Sequence, residues 1–464
     1  MASFQDTVAI LTREGGLFNA SAPVFVARSP GRLDLMGGND DYTGGLVFEM
    51  TIREATWAAT QVREDGQIVL RNQTAAQMGW KENVRCALNL LVDEQAVRKY
   101  VNASPDIRWT AYVLGNFHYL LKKYAERITD RGMTVYIESN VPLNKGVSSS
   151  AAVEVAVMKA ACAAYGIDLT GVGLALACQW VENVIAESAC GVMDQITAVL
   201  GDEGCVLPLV CQPCNAEPLV RLPASLECWA IDSGASHEVS GIEYEAARAA
   251  AFMGYKLICD LEGLDVVRDD SQEIPRYTEP RWNGYLANLP RALFHEQYEH
   301  RLPETMTGEE YLGTAGEHVD PFTRCLPEYT YRIRANTRYA VEENQRVQLF
   351  AELARGATTE RAFRLLGDLM CQSHYAYTEC GLASEATDRI VALARQEGPE
   401  NGVYGAKITG GGAGGTVAIL AKKDARPAVE RLVARYSRVR GSEPYLFEGS
   451  SPGADRFGIL EVRP

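Results

Sequence analysis

The sequence has no apolar run approaching the roughly 18 residues that a membrane-spanning helix needs. Its first residues, MASFQDTVAILTREGG, lack the basic flank and apolar core of a secretory leader. Neither a span nor a leader is expected, and the expected location is the cytoplasm. Basic residues are in deficit: 45 Lys and Arg stand against 60 Asp and Glu, a net charge of −15. That balance argues against nucleic-acid or anionic-membrane partners, which want exposed basic stripes. An acidic chain can still hold an acidic nucleotide, but only in a local pocket of backbone N–H groups and a few cations.

Several signatures are missing as well. No GxxxxGK[ST] segment occurs, which excludes a P-loop, and the HRD and DFG elements of protein kinases are absent. No repeat of about 20–50 residues is visible, which excludes solenoids and propellers. The twelve cysteines are scattered, mostly in apolar runs, as buried reduced thiols are. Cys211 and Cys214 form a CxxC, but no second pair or histidines follow at zinc-site spacing, so no zinc is expected.

What the chain does carry is glycine in three distinct settings. In VFVARSPGRLDLMGGNDDYTGGLVFEM, Val24 and Val26 alternate like a strand. Pro30-Gly31 interrupts it, and Gly37, Gly38, Gly44 and Gly45 bracket a polar loop containing Asp40, Asp41 and Tyr42, downstream of Arg32 and Asp34. In MTVYIESNVPLNKGVSSSAAVEVAVMKAACAAYG, a strand through Met133, Val135 and Ile137 enters a loop. Val153, Ala156, Val157, Ala160, Ala161 and Ala164 then fall at helical spacing. Ser148, Ser149 and Ser150 therefore sit at a helix N-terminus, where unpaired N–H donors and a partial positive charge suit phosphate. Lys145 and Gly146 precede them.

The third segment, VYGAKITGGGAGGTVAIL, reads as strand, glycine loop, strand. Gly410, Gly412 and Gly415 satisfy GxGxxG, but no helix follows, so a dinucleotide fold is not indicated. Gly411, Gly412 and Gly414 are expected to let backbone approach a nucleotide closely. Between the second and third segments, Glu182 lies on a helix beside Cys178. Asp194 in GVMDQ stands alone between Met193 and Ile196, an expensive place for a carboxylate without a purpose. Residues 269–327, rich in Arg, Glu, Pro and aromatics, read as short helices and loops inserted on a compact core.

These three segments, in this order, resemble the three motifs of the GHMP small-molecule kinases. GVMDQ and SHEVSGIEYEAAR resemble the galactokinase branch. SPGRLDLMGGNDDY, LPETMTGEEYL and YLFEGSSPGADRFG resemble the kinase part of plant L-arabinokinases, over about residues 23–457. The resemblance implies an α+β protein of two domains. A ribosomal-S5-domain-2-like N-terminal half (1–215) would carry the serine loop, and a ferredoxin-like C-terminal half (216–464) the late glycine loop. It implies transfer of the ATP γ-phosphate to the anomeric hydroxyl of a monosaccharide, with L-arabinose the expected substrate and D-galactose the alternative.

It also implies roles. Asp194 would be the catalytic aspartate, with Arg32 paired to it. Ser149 and Glu182 would hold Mg2+. Asp41, Gly191 and Tyr244 would hold the sugar. Asp34, where galactokinases usually carry Asn, stays open between a site role and a loop-organising carboxylate. Galactokinases typically read GEH where this chain has Gly37, Gly38 and Asn39, and their Glu and His contact the galactose 6-hydroxyl. Gly38 is expected to leave space there unless Asp40 fills it, and Asn39 to replace part of the lost hydrogen bond. A catalytically silent sugar sensor would be expected to lose part of this set, but Arg32, Asp194, Glu182 and all three loops are present. The expected assembly is a monomer or homodimer.

Overall fold

The long apolar alternation between residues 24 and 63 is the spine of the molecule. It forms β1 (Val24–Met36) and β2 (Leu46–Arg63), antiparallel to each other. The computed structural model describes residues 4–13, 16–235, 241–271, 274–412 and 414–463. β3 (Gln67–Asn72), β4 (Asn83–Ala87), β5 (Gly132–Ser139) and β6 (Cys205–Val210) complete the main sheet. The second half of β2 pairs with β5, and its first five residues pair with β6. β3 runs parallel to β5, and β4 closes that edge.

One face of this sheet carries α1 (Ala111–Ile128), α2 (Ser149–Tyr165), α3 (Gly171–Val184) and α4 (Met193–Leu200). α2 is apolar nearly all round because it is buried between the sheet and its neighbouring helices, and its alanines permit that close approach. It starts at Ser149, where the loss of strand alternation and the onset of helical spacing put it.

The second sheet has the order β8–β9–β7–β10, from β7 (Leu226–Asp232), β8 (Val403–Ile408), β9 (Thr416–Lys422) and β10 (Leu446–Glu448), all antiparallel. This is the ferredoxin-like strand order. Alternate residues face opposite ways, as a two-residue period requires. Trp229, Ile231, Val417 and Ile419 pack on α8 (Glu385–Glu397) and α9 (Arg426–Arg440). Ala230, Ala418 and Leu420 share a core with Leu33, Phe48 and Met50 of the first sheet. α6 (Ile333–Gly356) and α7 (Glu360–Cys380) contribute Phe350, Leu366 and Met370 to that shared core. Both faces of the second sheet are therefore covered, and the two sheets are held through one apolar layer.

α5 (Gly241–Leu261) precedes the 269–327 segment, in which residues 274–327 form short helices, two- or three-residue strands and loops around an aromatic cluster of Trp282, Phe294 and Tyr298. The last strand, β11 (Leu460–Val462), returns to pair with Val24–Val26 of β1. The architecture is α+β, as the sequence led one to expect. The SHEVS part of the motif before α5, residues 236–240, lies outside the described residues.

Candidate active site

β1 is irregular between Pro30 and Arg32, and Val147 of the serine loop packs into that irregularity. A Cβ on Gly31 would stand 2.5 Å from the Val147 carbonyl oxygen, so only glycine admits the loop. The Arg32 N–H donates to that same oxygen at 3.1 Å. The guanidinium then reaches two hydrogen-bond partners, and its Nε also lies 3.4 Å from Glu49 Oε2. Nε donates to Asp194 Oδ1 at 2.8 Å, Nη2 lies 2.6 Å from the same oxygen, and Nη1 donates to the Gly146 carbonyl at 2.7 Å. Arg32 is buried. Burial alone would lower its pKa, but the carboxylates of Asp194, Glu49 and Asp34 outweigh this and raise it.

The serine loop is strained in a way that serves the cavity. Asn144, Gly146 and Ser148 all have positive φ (56°, 68° and 59°). Ser148 precedes α2 but makes no capping hydrogen bond. Its hydroxyl donates to Asp194 Oδ2 at 2.5 Å instead, so the first-turn N–H groups of α2 have no side-chain cap. Lys145 Nζ lies 3.2 Å from Asp232 Oδ1 at the end of β7.

These groups line a cavity of about 470 Å³ together with Asp41, Glu182, Gly191, Tyr244 and Gly411. Asp41 is buried and its pKa is pushed up to about 6, by burial first and then by the Asp194 charge, against the opposing pull of Arg248 and Arg32. Glu182 is pushed up to about 7, again by burial and then by Asp194. It is hydrogen-bonded by Ser150 and, at 2.6 Å, by Gln195 Nε2. Gln195 also reaches buried Glu154, whose pKa burial drives well above the carboxylate range.

Arg32, Asp41, Lys145, Gly146, Ser148, Ser149, Ser150, Glu182, Gly191, Asp194, Tyr244 and Gly411 thus share one cavity. Gly38, Asn39, Gly412 and Gly414 do not line it. A Cβ on Gly38 would overlap Asp34 Oδ2 and the Tyr377 hydroxyl, so these two groups already occupy that space. Asp40 does not fill it, because its carboxylate turns to Thr43 and sits against Gly45. Asn39, at φ 61°, donates from Nδ2 to the Gly411 carbonyl at 3.1 Å. Asp34 accepts from Lys407 Nζ at 2.5 Å with both side chains fully buried, and its N–H donates to Thr409 Oγ1. It therefore ties the end of β1 to β8.

In the third loop, a Cβ on Gly410 would stand 2.8 Å from the Gly146 carbonyl, and one on Gly415 2.7 Å from the Lys145 carbonyl. Gly412 instead faces Leu382, whose Cβ a side chain would meet at 2.8 Å, and Gly414 faces Ala235 at 3.3 Å. The close approaches at Gly410 and Gly415 are made by one loop to another.

One lobe of the cavity was not legible beforehand. Asn72, Trp80, Pro105, Trp109 and Tyr112 line it. They come from separate elements and share no periodicity, so no local signal joins them.

An uncapped helix N-terminus, a nearby lysine and an arginine–aspartate pair line one partly aromatic cavity, a set that can hold an anion beside a carboxylate. Three family models match the chain: GHMP kinases N terminal domain over residues 111–202, galactokinase galactose-binding signature over 16–62, and GHMP kinases C terminal over 350–438. The chain is 36% identical to L-arabinokinase of Arabidopsis thaliana over 97% of its own length and 48% of that protein. It thus spans about half the length of that relative. It is 30% identical to galactokinase of Chloroflexus aurantiacus, covering 89% of this chain and 88% of that one. Its fold matches Lactococcus lactis galactokinase complexed with galactose, with a TM-score of 0.73 at 20% identity, over 98% and 100% of the two chains. The chain belongs to the GHMP kinase family.

Proposed function

We propose that this protein is an ATP-dependent anomeric sugar kinase that converts L-arabinose to L-arabinose 1-phosphate. The observation that carries the reading is the Asp194 carboxylate, held by Arg32 and Ser148 in the same cavity as Asp41, Gly191 and Tyr244. The aromatic lobe around Trp80 and Trp109 takes the adenine. The uncapped N-terminus of α2, Lys145 and the serines cradle the phosphates. Asp41 accepts hydrogen bonds from the sugar and Tyr244 packs beside it. The sugar's anomeric hydroxyl lies at Asp194 Oδ2, which accepts its proton as the oxygen attacks the γ-phosphorus and the bond to the β,γ-bridging oxygen breaks, releasing ADP. Arg32 faces the charge that develops on the phosphoryl oxygens. The cavity draws on residues of both 1–215 and 216–464, the division we assign between the N- and C-terminal domains.

The donor set fits Mg2+. Glu182 is a carboxylate crowded by burial and by Asp194, hydrogen-bonded by Ser150 and lining the same cavity as Ser149, a hard-oxygen environment that a dication relieves. When bound there, the ion supplies neutralisation of the β- and γ-phosphate charge.

D-Galactose is the second reading, favoured by the galactose-binding signature over residues 16–62. Against it stands the glycine at position 38, where Asp34 and Tyr377 fill the space that a side chain would take. With no glutamate there, the exocyclic hydroxymethyl group of galactose would lack the charged partner that the resemblance assigns to this position. A coupled kinase assay over a panel of pentoses and hexoses tests the proposal. ATP hydrolysis unaffected by every sugar would sink it.

A further inference from the structure

We infer that Arg248 is a positioning residue for the sugar site and that Asp320, on the 269–327 segment, holds it in place; this rests on the reading of Asp41 and Tyr244 as sugar-binding residues. Arg248 lies on α5, one helical turn after Tyr244, so the two side chains project from the same face. It is 3% exposed and does not line the cavity that holds Asp194. It lines instead a neighbouring cavity of about 490 Å³ that shares Asp41, Cys190 and Gly191 with the first. Whatever Arg248 does for a bound sugar, it does through those residues.

The geometry is specific. Nε donates to Asp320 Oδ2 at 2.8 Å and Nη2 to Oδ1 at 2.9 Å, a two-pronged pair with both partners buried. Asp320 is fixed in turn. Its Oδ2 accepts from Thr323 Oγ1 at 2.6 Å and from Thr323 N at 3.1 Å, and its own N–H donates to His318 Nδ1 at 3.2 Å. Three rings surround the guanidinium: Tyr42 at 5.0 Å, Phe322 at 5.5 Å and Phe252 at 5.9 Å.

Tyr42 transmits this order to the site. Its ring meets Tyr244 edge-on at 6.1 Å, and its N–H donates to Asp41 Oδ1 at 2.9 Å. A buried arginine is costly unless paired, and a segment that serves only to cover a core would supply apolar side chains here. The 269–327 segment supplies the carboxylate instead. Arg248 also opposes the burial that raises the Asp41 pKa, which favours the ionised form that accepts hydrogen bonds.

The test uses the full chain and four proteins: wild type, Asp320→Asn, Arg248→Lys and Arg248→Met. Lysine keeps the charge but cannot reproduce the two-pronged pair. Steady-state KM is measured for L-arabinose and for MgATP, with thermal unfolding in parallel. The expected result is a sugar KM raised about tenfold or more in Asp320→Asn and Arg248→Lys, and further in Arg248→Met, with the MgATP KM nearly unchanged. A sugar KM within about twofold of wild type in a folded Arg248→Met protein, or sugar and MgATP KM rising together, overturns the inference. If the Arg248 proteins do not fold, Asp320→Asn decides by the same two criteria. Failure of the sugar-kinase reading shows separately, as wild type that turns over no sugar.

Discussion

Gly191 and Asp41 occupy one another's space: a Cβ on Gly191 would overlap Asp41 Oδ2. The glycine is thus a condition for the position of the carboxylate. Gly191→Ala is expected to displace Asp41 and raise the sugar KM about tenfold or more, with the MgATP KM little changed. Steady-state kinetics with each substrate varied in turn checks this. Parallel increases in both KM values would point to a general collapse of the cavity instead.

Asp194 accepts from Arg32 and Ser148, two partners that an asparagine could still meet in part. Asp194→Asn is therefore expected to keep the fold and ATP binding while kcat drops by about 10²–10⁴, the usual worth of a positioned base. A single-turnover measurement isolates the chemical step. Retention of more than about a tenth of the wild-type rate in that step would remove Asp194 from proton transfer.

The glycines of the third loop separate by what they face. Gly410→Val drives a side chain toward the Gly146 carbonyl and the Arg32 guanidinium, so it is expected to raise the MgATP KM severely or abolish turnover. Gly412→Val meets Leu382 and Tyr377, so its main effect is expected in thermal stability. Both positions have positive φ, which adds backbone strain to each. Nucleotide affinity and unfolding temperature, measured on both proteins, check the division. An unchanged MgATP KM in Gly410→Val would contradict it.

If Asp41 accepts from the sugar as proposed, the sugar step is expected to be pH-dependent. Its pKa is raised from 3.8 to about 6, so it is protonated, and a poor acceptor, below that value. kcat/KM for the sugar is expected to fall as pH drops through about 6. The stability sign is the opposite. A raised carboxylate holds its proton more tightly in the folded state, so its contribution is greatest below pH 3.8 and declines as pH rises to about 6. Asp41→Asn should therefore gain stability relative to wild type across that interval, as unfolding curves at several pH values would reveal. A relative loss across the same interval would show that Asp41 is not the raised group.

Much of this was legible in the sequence, for reasons of distance. Strand alternation before residue 139 and helical spacing after Ser148 lie within one segment, so the serine loop and α2 could be placed from local pattern. The strand–loop–strand around the late glycines was visible for the same reason. Asp194 stood out because it and Gln195 interrupt an apolar stretch between Met193 and Ile196. What stayed hidden depends on partners far away in the chain. Arg248 and Asp320 are 72 residues apart, and Asp34 and Lys407 are 373 apart. Gly38 reads as open space until Tyr377, on α7, is seen to occupy it. The aromatic lobe around Trp80 and Trp109 forms only when separate elements meet at the cavity edge.

The most direct measurement compares kcat/KM for L-arabinose and D-galactose on one preparation. L-Arabinopyranose has the ring hydroxyl pattern of D-galactopyranose but lacks the exocyclic CH2OH, so a site without the glutamate loses nothing with it. With galactose the site forgoes a charged hydrogen bond, worth about 1.5–3 kcal/mol. The expected result is turnover of L-arabinose to a sugar 1-phosphate, with kcat/KM about 10–150-fold above that for galactose or higher. A ratio favouring D-galactose would contradict the arabinose assignment, and no turnover of either sugar would contradict the kinase assignment itself.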